Sequence, residues 1–423
     1  MSQGITRAGQ YQADIVEIES HNGEVLDLRA VYAGCEIYED IYGNCITAKL
    51  IISTTQDLID ALPIIGQEKV RLSFNHTGST REPINLEMHV YKISDFSLKD
   101  LNNVFTLELI TFEQFANYEN RISRYYENSA SGIVQELFNE LGSPKQLDIQ
   151  GSEDQQKIIV PGMSPFKAIN WLASKAYTGP AADFLFWENV NGYQFKSVSS
   201  LMSASPEIEY LYGVSNQTLD ANTEDKVLIN FKFQSHFNIL DGILGGMYKT
   251  KALKVDIINR QTEEIEYNIY DSYMETNKVD SNPLFDISGQ GRQYNTANFF
   301  VLPENSEMTY NHEETFLRRK SQLKLLNQMR LTATVFGDTQ VNAGKTIDVQ
   351  FPQFNFTDEV QENPKISGKW LITAVKHRFE PSNGYYSDIE CIRDSQGDPY
   401  PQPKPVKSNG GYPQNDIDAS GAF

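Results

Sequence analysis

Three short stretches near the front of the chain, and three near its end, carry the same alternation in the same order. No other feature of the sequence constrains the fold as strongly. The first set is GQEKVRLSF, INLEMHVYKI and FTLELIT; the second is GKTIDVQF, KWLITAVKHRF and YYSDIECIR. Val70, Leu72 and Phe74 point one way, as do Ile84, Leu86, Met88 and Val90, then Phe105, Leu107 and Leu109. Successive side chains on a strand point to opposite faces, so apolar residues at every second position mark strands with one buried face. Gly66 and Gly344 each precede the first strand of a set, and His89 and His377 fall in corresponding strands. One reading is two similar β modules in one chain. The other is that any two antiparallel meanders share such alternation.

Between the sets the period changes. SGIVQELFNELG places Ile133, Val134, Leu137, Phe138 and Leu141 on one helical face, with Gly142 as a left-handed stop. FEQFANYENRISRYYENS reads as a surface helix, and STTQDLIDAL as a short helix capped by Ser53 or Thr54. After the acidic loop GSEDQQ, Ser164 and Pro165 open a helix whose stripe is Phe166, Ile169, Leu172, Ala173 and Ala176. Asn191-Gly192 then separates FLFWENV from YQFKSV, a strong hairpin signal. Strands resume with KVLINFKFQ. LKVDIINR and EEIEYNIY form a hairpin inside an insertion, and NHEETFLRRKSQLKLLNQM is a helix with acids first and bases later. From Gln396 the prolines alternate with other residues and a polar end follows. This is a disordered terminus, or an arm laid on a neighbouring subunit.

The totals agree with packed, strand-rich domains. A chain of 423 residues, 40% hydrophobic and 11% aromatic, is expected to form about two to four domains. The net charge of −20 argues against gripping nucleic acid, which needs a basic stripe. Cys35, Cys45 and Cys391 are an odd set without CxxC spacing, so neither a disulfide framework nor a zinc site is expected. The polar start MSQGITRAGQ lacks a signal-peptide core, and no apolar run reaches the roughly 20 residues that span a bilayer. A reducing cytoplasm is the expected site of synthesis and folding.

No catalytic group emerges. AGKT, from Ala343 to Thr346, has the end of a phosphate loop, but Thr339 stands where the motif needs glycine. A strand pattern follows it, so it reads as a strand-initiating turn. His21, His76, His89, His236, His312 and His377 form no HExxH and no helical pair. No GxSxG elbow is present, and acidic pairs abound too widely to single out a glycosidase. Catalytic, metal and cofactor residues are therefore expected to be none. The aromatic cluster Phe184, Phe186, Trp187, Tyr193 and Phe195 is read as a rigid surface for contact with a partner.

In order, four segments carry a resemblance: CEIYEDIYGNCITAKLIISTTQDLIDALPIIGQEKVRLSF, VPGMSPFKAINWLASKAYTGPAADFLFWENVNGYQFKSV, LDGILGGMYKTKALKVDIINR, and RLTATVF onward to IECIRD. Together, over about residues 10 to 395, the chain resembles the baseplate hub proteins of contractile phage tails and the hub part of type VI secretion spikes. The resemblance implies a mainly β fold with α+β insertions. Residues 1–112 would form a first tube-forming β module and 113–204 a helix-plus-hairpin domain. Residues 205–239 and 312–395 would form a second such module, 240–311 an insertion and 396–423 an extended tail. It further implies a non-enzymatic homotrimer in the virion baseplate, assembled in the host cytoplasm. Its pseudo-sixfold ring would join a hexameric tail tube to a trimeric central spike, touch other baseplate proteins and let DNA pass. Rival readings are a β-rich host-binding adhesin and a cell-wall hydrolase of the tail tip.

Overall fold

A computed structural model describes residues 9–55, 64–77, 81–99, 102–212, 226–235, 237–256, 260–285, 296–303, 312–352 and 363–397. The alternating stretches become strands. The first set supplies β1 (Tyr11–Glu19), β2 (Val25–Asp27), β3 (Tyr32–Asp40), β4 (Thr47–Thr54), β5 (Lys69–His76), β6 (Ile84–Lys99) and β7 (Asn102–Ile110). A central unit holds β8 (Ile122–Asn128), β9 (Leu147–Ile149), β10 (Gln156–Met163), β11 (Phe184–Asn189) and β12 (Gly192–Ser197). Next come β13 (Ile208–Leu211), β14 (Leu228–Ser235), β15 (Lys249–Asp256), β16 (Gln261–Asn268), β17 (Asn282–Pro283) and β18 (Thr296–Pro303). The last set is β19 (Met329–Phe336), β20 (Thr346–Gln350), β21 (Gly368–Glu380), β22 (Gly384–Arg393) and β23 (Ser395–Gln396).

Thirteen strands form one sheet, whose main path runs β14-β19-β22-β21-β3-β4-β7-β6-β5-β1-β2, with β20 and β13 branching from β21. The fold is mainly β, as expected. Within the sheet the order β3-β4-β7-β6-β5 is repeated as β14-β19-β22-β21-β20, every neighbour antiparallel. Shared alternation alone would not reproduce irregularities, yet these coincide. β6 bulges against β7 between Val90 and Lys92, and β21 bulges against β22 between Ile372 and Ala374. β3 and β14 each slip by one residue, between Tyr32 and Gly34 and between Leu228 and Asn230. Gln67 N donates to Val90 O and Val90 N to Glu68 O; Gly344 N donates to Ile372 O and Ile372 N to Lys345 O.

These bonds fix the equivalence residue by residue. Gln67 (φ 71°), rather than Gly66, is the counterpart of Gly344 (φ 93°), so the two glycines are offset by one. His89 opposes Ile110 as Leu371 opposes Ile392, which makes Leu371, not His377, the partner of His89. The copies also differ. β1 lies antiparallel on β5 while β13 lies parallel on β20, β6 has a further irregularity between Ser94 and Ser97 that β21 lacks, and β14 a second one between Phe233 and Ser235 that β3 lacks.

Each copy has its own apolar core, one around Leu50, Leu72, Phe74 and Leu107, the other around Leu331, Val349, Trp370 and Ile389. The central unit packs helices Ala130–Glu140 and Pro165–Ala173 on the β11–β12 hairpin. Gly142 takes φ +67° one residue beyond the cap of the first helix, as its stop signal requires. At the second, Pro165 occupies the first turn, but Ser164 makes no side-chain capping bond. Asn117 does so instead, its Oδ1 accepting from Phe166 N at 2.9 Å.

Two local expectations are corrected. FEQFANYENRISRYYENS is helical only over Phe112–Glu119. Asn120 turns extended while its backbone and side-chain N–H groups both bond Ala116 O, and ISRYYEN then pairs as β8 with β10. The hairpin turn is Val190-Asn191, closed by the pair Asn189 and Gly192, one residue earlier than the Asn-Gly signal. Gly192 is there because a Cβ would stand 2.7 Å from Gln146 O. In the insertion β15 and β16 pair antiparallel, as expected, and β18 adds parallel to β15. The helix expected within STTQDLIDAL and the tail beyond Gly397 lie outside the described residues.

Candidate functional site

The two copies meet where β21 changes partner. Its first residues, Gly368–Leu371, pair with β20, and Ala374–Phe379 then pair with Asp40–Cys35 of β3. The bulge at Thr373 lies between these segments, where an extra residue bends and twists a strand. Ile41 N donates to Thr373 O at 2.9 Å as the chain leaves β3. Lys376 pairs with Glu36 across the seam at 2.6 Å, and Phe379 stacks on Phe74 with centroids 4.1 Å apart.

The central unit locks this seam. The Glu39 carboxylate accepts from Ala343 N at 2.8 Å and from Val190 N at 3.1 Å, tying both copies to the hairpin. Trp187 Nε1 donates to Ala343 O at 3.2 Å, with its ring over Gly344. Burial pushes the Glu39 carboxyl up to about 8, against the two backbone N–H bonds that favour its ionised form. His377 Nε2 lies 4.0 Å from Glu39, and burial draws this imidazole down to about 3. Ile41, Leu185, Trp187, Val279, Leu326, Ala343, Leu371 and Ile392 close one apolar cluster over the face of the seam that meets the hairpin.

The expected partner-contact residues are corrected by their burial. Phe184, Phe186, Trp187, Tyr193 and Phe195 are each at most 2% exposed. Phe186 stacks on Tyr193 at 5.3 Å, Phe184 lies 5.2 Å from Phe195, and Phe138 closes on Tyr193 at 5.0 Å. The hairpin is covered on both faces. Phe184, Phe186, Tyr193 and Phe195 join the core of the central unit, while Leu185 and Trp187 face the seam. Its aromatic surface serves contacts inside the chain. Beside it Lys145 bridges two buried carboxylates, Glu113 at 2.8 Å and Glu188 at 2.5 Å. Burial lowers the Lys145 pKa, but Glu188 and Glu113 outweigh it and carry the net shift upward.

Among the described residues no group of three or more His, Cys, Asp or Glu is placed to hold a metal ion. Cys35, Cys45 and Cys391 are free thiols, and burial pushes all three pKa values up, Cys45 to about 12. Lys345 of AGKT pairs with Glu207 at 2.6 Å, and Thr346 begins β20, so the segment is a turn into a strand. No described helix is long and apolar enough to cross a membrane.

What the junction leaves over is a pair of strand edges. Among the described residues β14 pairs only with β19. Among the described residues, β6 beyond Val90 pairs only with β7. By the equivalence above, β14 is the counterpart of β3, and Lys92–Leu98 of β6 is the counterpart of Ala374–Phe379, the β21 segment that receives β3. The site is thus a seam made once inside the chain, with both halves of the same seam presented again.

This architecture is that of phage tail proteins. The chain superposes on the 43 kDa tail protein of prophage MuSo2 from Shewanella oneidensis with a TM-score of 0.58 at 11% identity, covering 90% of this chain and 99% of that one. It superposes on the tail protein from Neisseria meningitidis MC58 with a TM-score of 0.55 at 11% identity, covering 91% and 97%. In sequence it is similar to one protein in particular, the probable baseplate hub protein gp334 of Vibrio phage KVP40, 21% identical over 431 residues and 93% of each chain. No protein-family model matches the chain. The resemblance to baseplate hub proteins read in the sequence is borne out.

Proposed function

We propose that the chain is a structural, non-enzymatic hub of a contractile tail baseplate, a homotrimer in which six β modules form a ring. The observation that carries this reading is the duplicated meander with matching bulges, joined through β3 on β21 and leaving β14 and half of β6 as complementary edges. A seam whose two halves sit at different places on one chain is heterologous, and it closes a ring when the rotation it imposes divides a full turn. With two modules per chain, three chains give six near-equal positions. Closure also protects edges that would otherwise pair indiscriminately.

In this scheme residues 1–112 are one tube-forming module, and 205–239 with 312–395 the other. The helix-plus-hairpin domain (113–204) and the insertion (240–311) lie outside the ring and contact other baseplate proteins, and 396–423 is an extended tail. One ring face takes a hexameric tail tube and the other a trimeric central spike, in a baseplate assembled in the host cytoplasm. DNA passes through without being held, which the net charge of −20 favours. Relatives named as tail and baseplate proteins support a structural part over a hydrolase or adhesin.

The mass of the purified chain, alone and with the products of neighbouring genes, tests the proposal. Three copies alone, retained when tube and spike proteins bind, is the expected result. A persistent monomer that ignores both would refute it, and turnover in a peptidoglycan-digestion assay would refute the non-enzymatic reading.

A further inference from the structure

Inside the chain, the face of the seam that meets the hairpin is sealed by Ile41, the residue after β3, which is fully buried with Leu371, Ile392 and Trp187. The matching bulges give the other copy of that face: Tyr91 stands for Thr373, His89 for Leu371 and Ile110 for Ile392. There the face is open. Tyr91 and Phe112 are about half exposed, Ile65 is 72% exposed, and His89 sits 5.6 Å from the Phe112 ring. Two residues beyond β14, close to the place Ile41 holds beyond β3, comes Phe237, 60% exposed. The helix Ile239–Gly245 follows it and presents Leu240 and Leu244, each more than 70% exposed. Lys324 pairs with Asp241 at 3.0 Å and tethers this helix, and Gly246 ends it at φ +73°.

We infer that Phe237 and the short helix behind it seat on the apolar face around His89, Tyr91 and Phe112 of a second copy of the chain. The inference rests on the ring proposed above and names what seals its chain–chain seams. The occupant is a second copy because each surface is the counterpart of one half of a seam that the chain already makes with itself. Apolar contact has more to supply here than inside the chain. The Lys376–Glu36 ion pair has Ser94 and Lys232 as its counterparts, which form no such pair.

Native mass measurement on the full chain at fixed concentration tests this. Wild type is expected to be a trimer and to remain one in 1 M salt. Phe237→Asp with Leu240→Asp, replacing two contact anchors by charge, is expected to weaken assembly by about a hundredfold or more and give monomer. Tyr125→Asp with Ile159→Asp, an exposed pair on the central unit, should leave the trimer intact. Adding Tyr91→Lys to the first variant should restore trimer, which separates a lost contact from a lost fold. A trimer that survives the first variant, dissociates in salt, is lost with the control pair, or is not restored by Tyr91→Lys overturns the inference and leaves the ring standing. A monomeric wild type overturns the ring beneath it.

Discussion

Gly344→Ala probes the lock on the seam. At φ +93° a side chain strains the backbone by about 1–2 kcal/mol. The new Cβ would stand 2.6 Å from Trp187 Cζ2, where carbon atoms prefer about 3.5–4.0 Å. The indole must therefore shift by about 1 Å, an overpacking cost of about 1–3 kcal/mol. The shift also stretches the 3.2 Å bond from Trp187 Nε1 to Ala343 O, worth about 1 kcal/mol. The expected loss is about 3–6 kcal/mol, read as a fall in the urea midpoint by far-UV circular dichroism. In a Trp187→Phe background the smaller ring leaves room for the methyl, and only the backbone cost should remain. The two substitutions should then couple by about 2 kcal/mol or more. Gln67→Gly, at the equivalent residue of the other copy, should be neutral or stabilise by up to about 1 kcal/mol, because Gln67 takes φ +71°. A Gly344→Ala loss under about 1 kcal/mol, or an equal loss in both backgrounds, would refute the argument.

Glu39 should make stability fall as pH rises. Its folded value of about 8 lies above the ordinary 4.5, so between these values the folded state holds a proton that the unfolded chain has released. His377, lowered from 6.5 to about 3, acts oppositely between 3 and 6.5 and offsets Glu39 above 4.5. Glu39→Gln should therefore flatten the decline in melting temperature from about pH 6.5 to 8; an unchanged slope would count against it. Lys145→Met strands the buried Glu113 and Glu188 carboxylates and should cost about 3 kcal/mol in denaturation, partly recovered by Glu188→Gln. Ellman's reagent at pH 8 should find at most one slow thiol in the native chain, Cys45, and three in denaturant, since Cys35 and Cys391 are 1% exposed.

The β meanders were legible because one face of each strand is wet, and the apolar period survives in Val70, Leu72 and Phe74 as in Leu331, Ala333 and Val335. Their equivalence was legible only in outline. Bulges at Tyr91 and Thr373 leave no compositional mark, and the left-handed turn before β5 is held by Gln67 through its bond to Val90, so matching glycines misled by one residue. The aromatic hairpin was found but its role was misread. With both faces covered, FLFWEN shows no alternation, and sequence cannot say whether the second face meets the same chain or another. β8 was missed because its partner β10 lies some thirty residues on, and Tyr125, Tyr126 and their polar neighbours suit a helix surface equally well. The exposed helix behind β14 lies in LDGILGG, but nothing in that stretch marks a contact surface, since its meaning depends on a counterpart on the other copy.

Glu39 and Trp187 rivet only the joint that lies within one polypeptide. A hoop built from such subunits would be unevenly strong, every second joint being pinned through a third segment of the same chain and the ones between resting on strand edges and apolar contact without that pin. Under outward load it would fracture at alternate joints, into three stiff arcs rather than six loose staves.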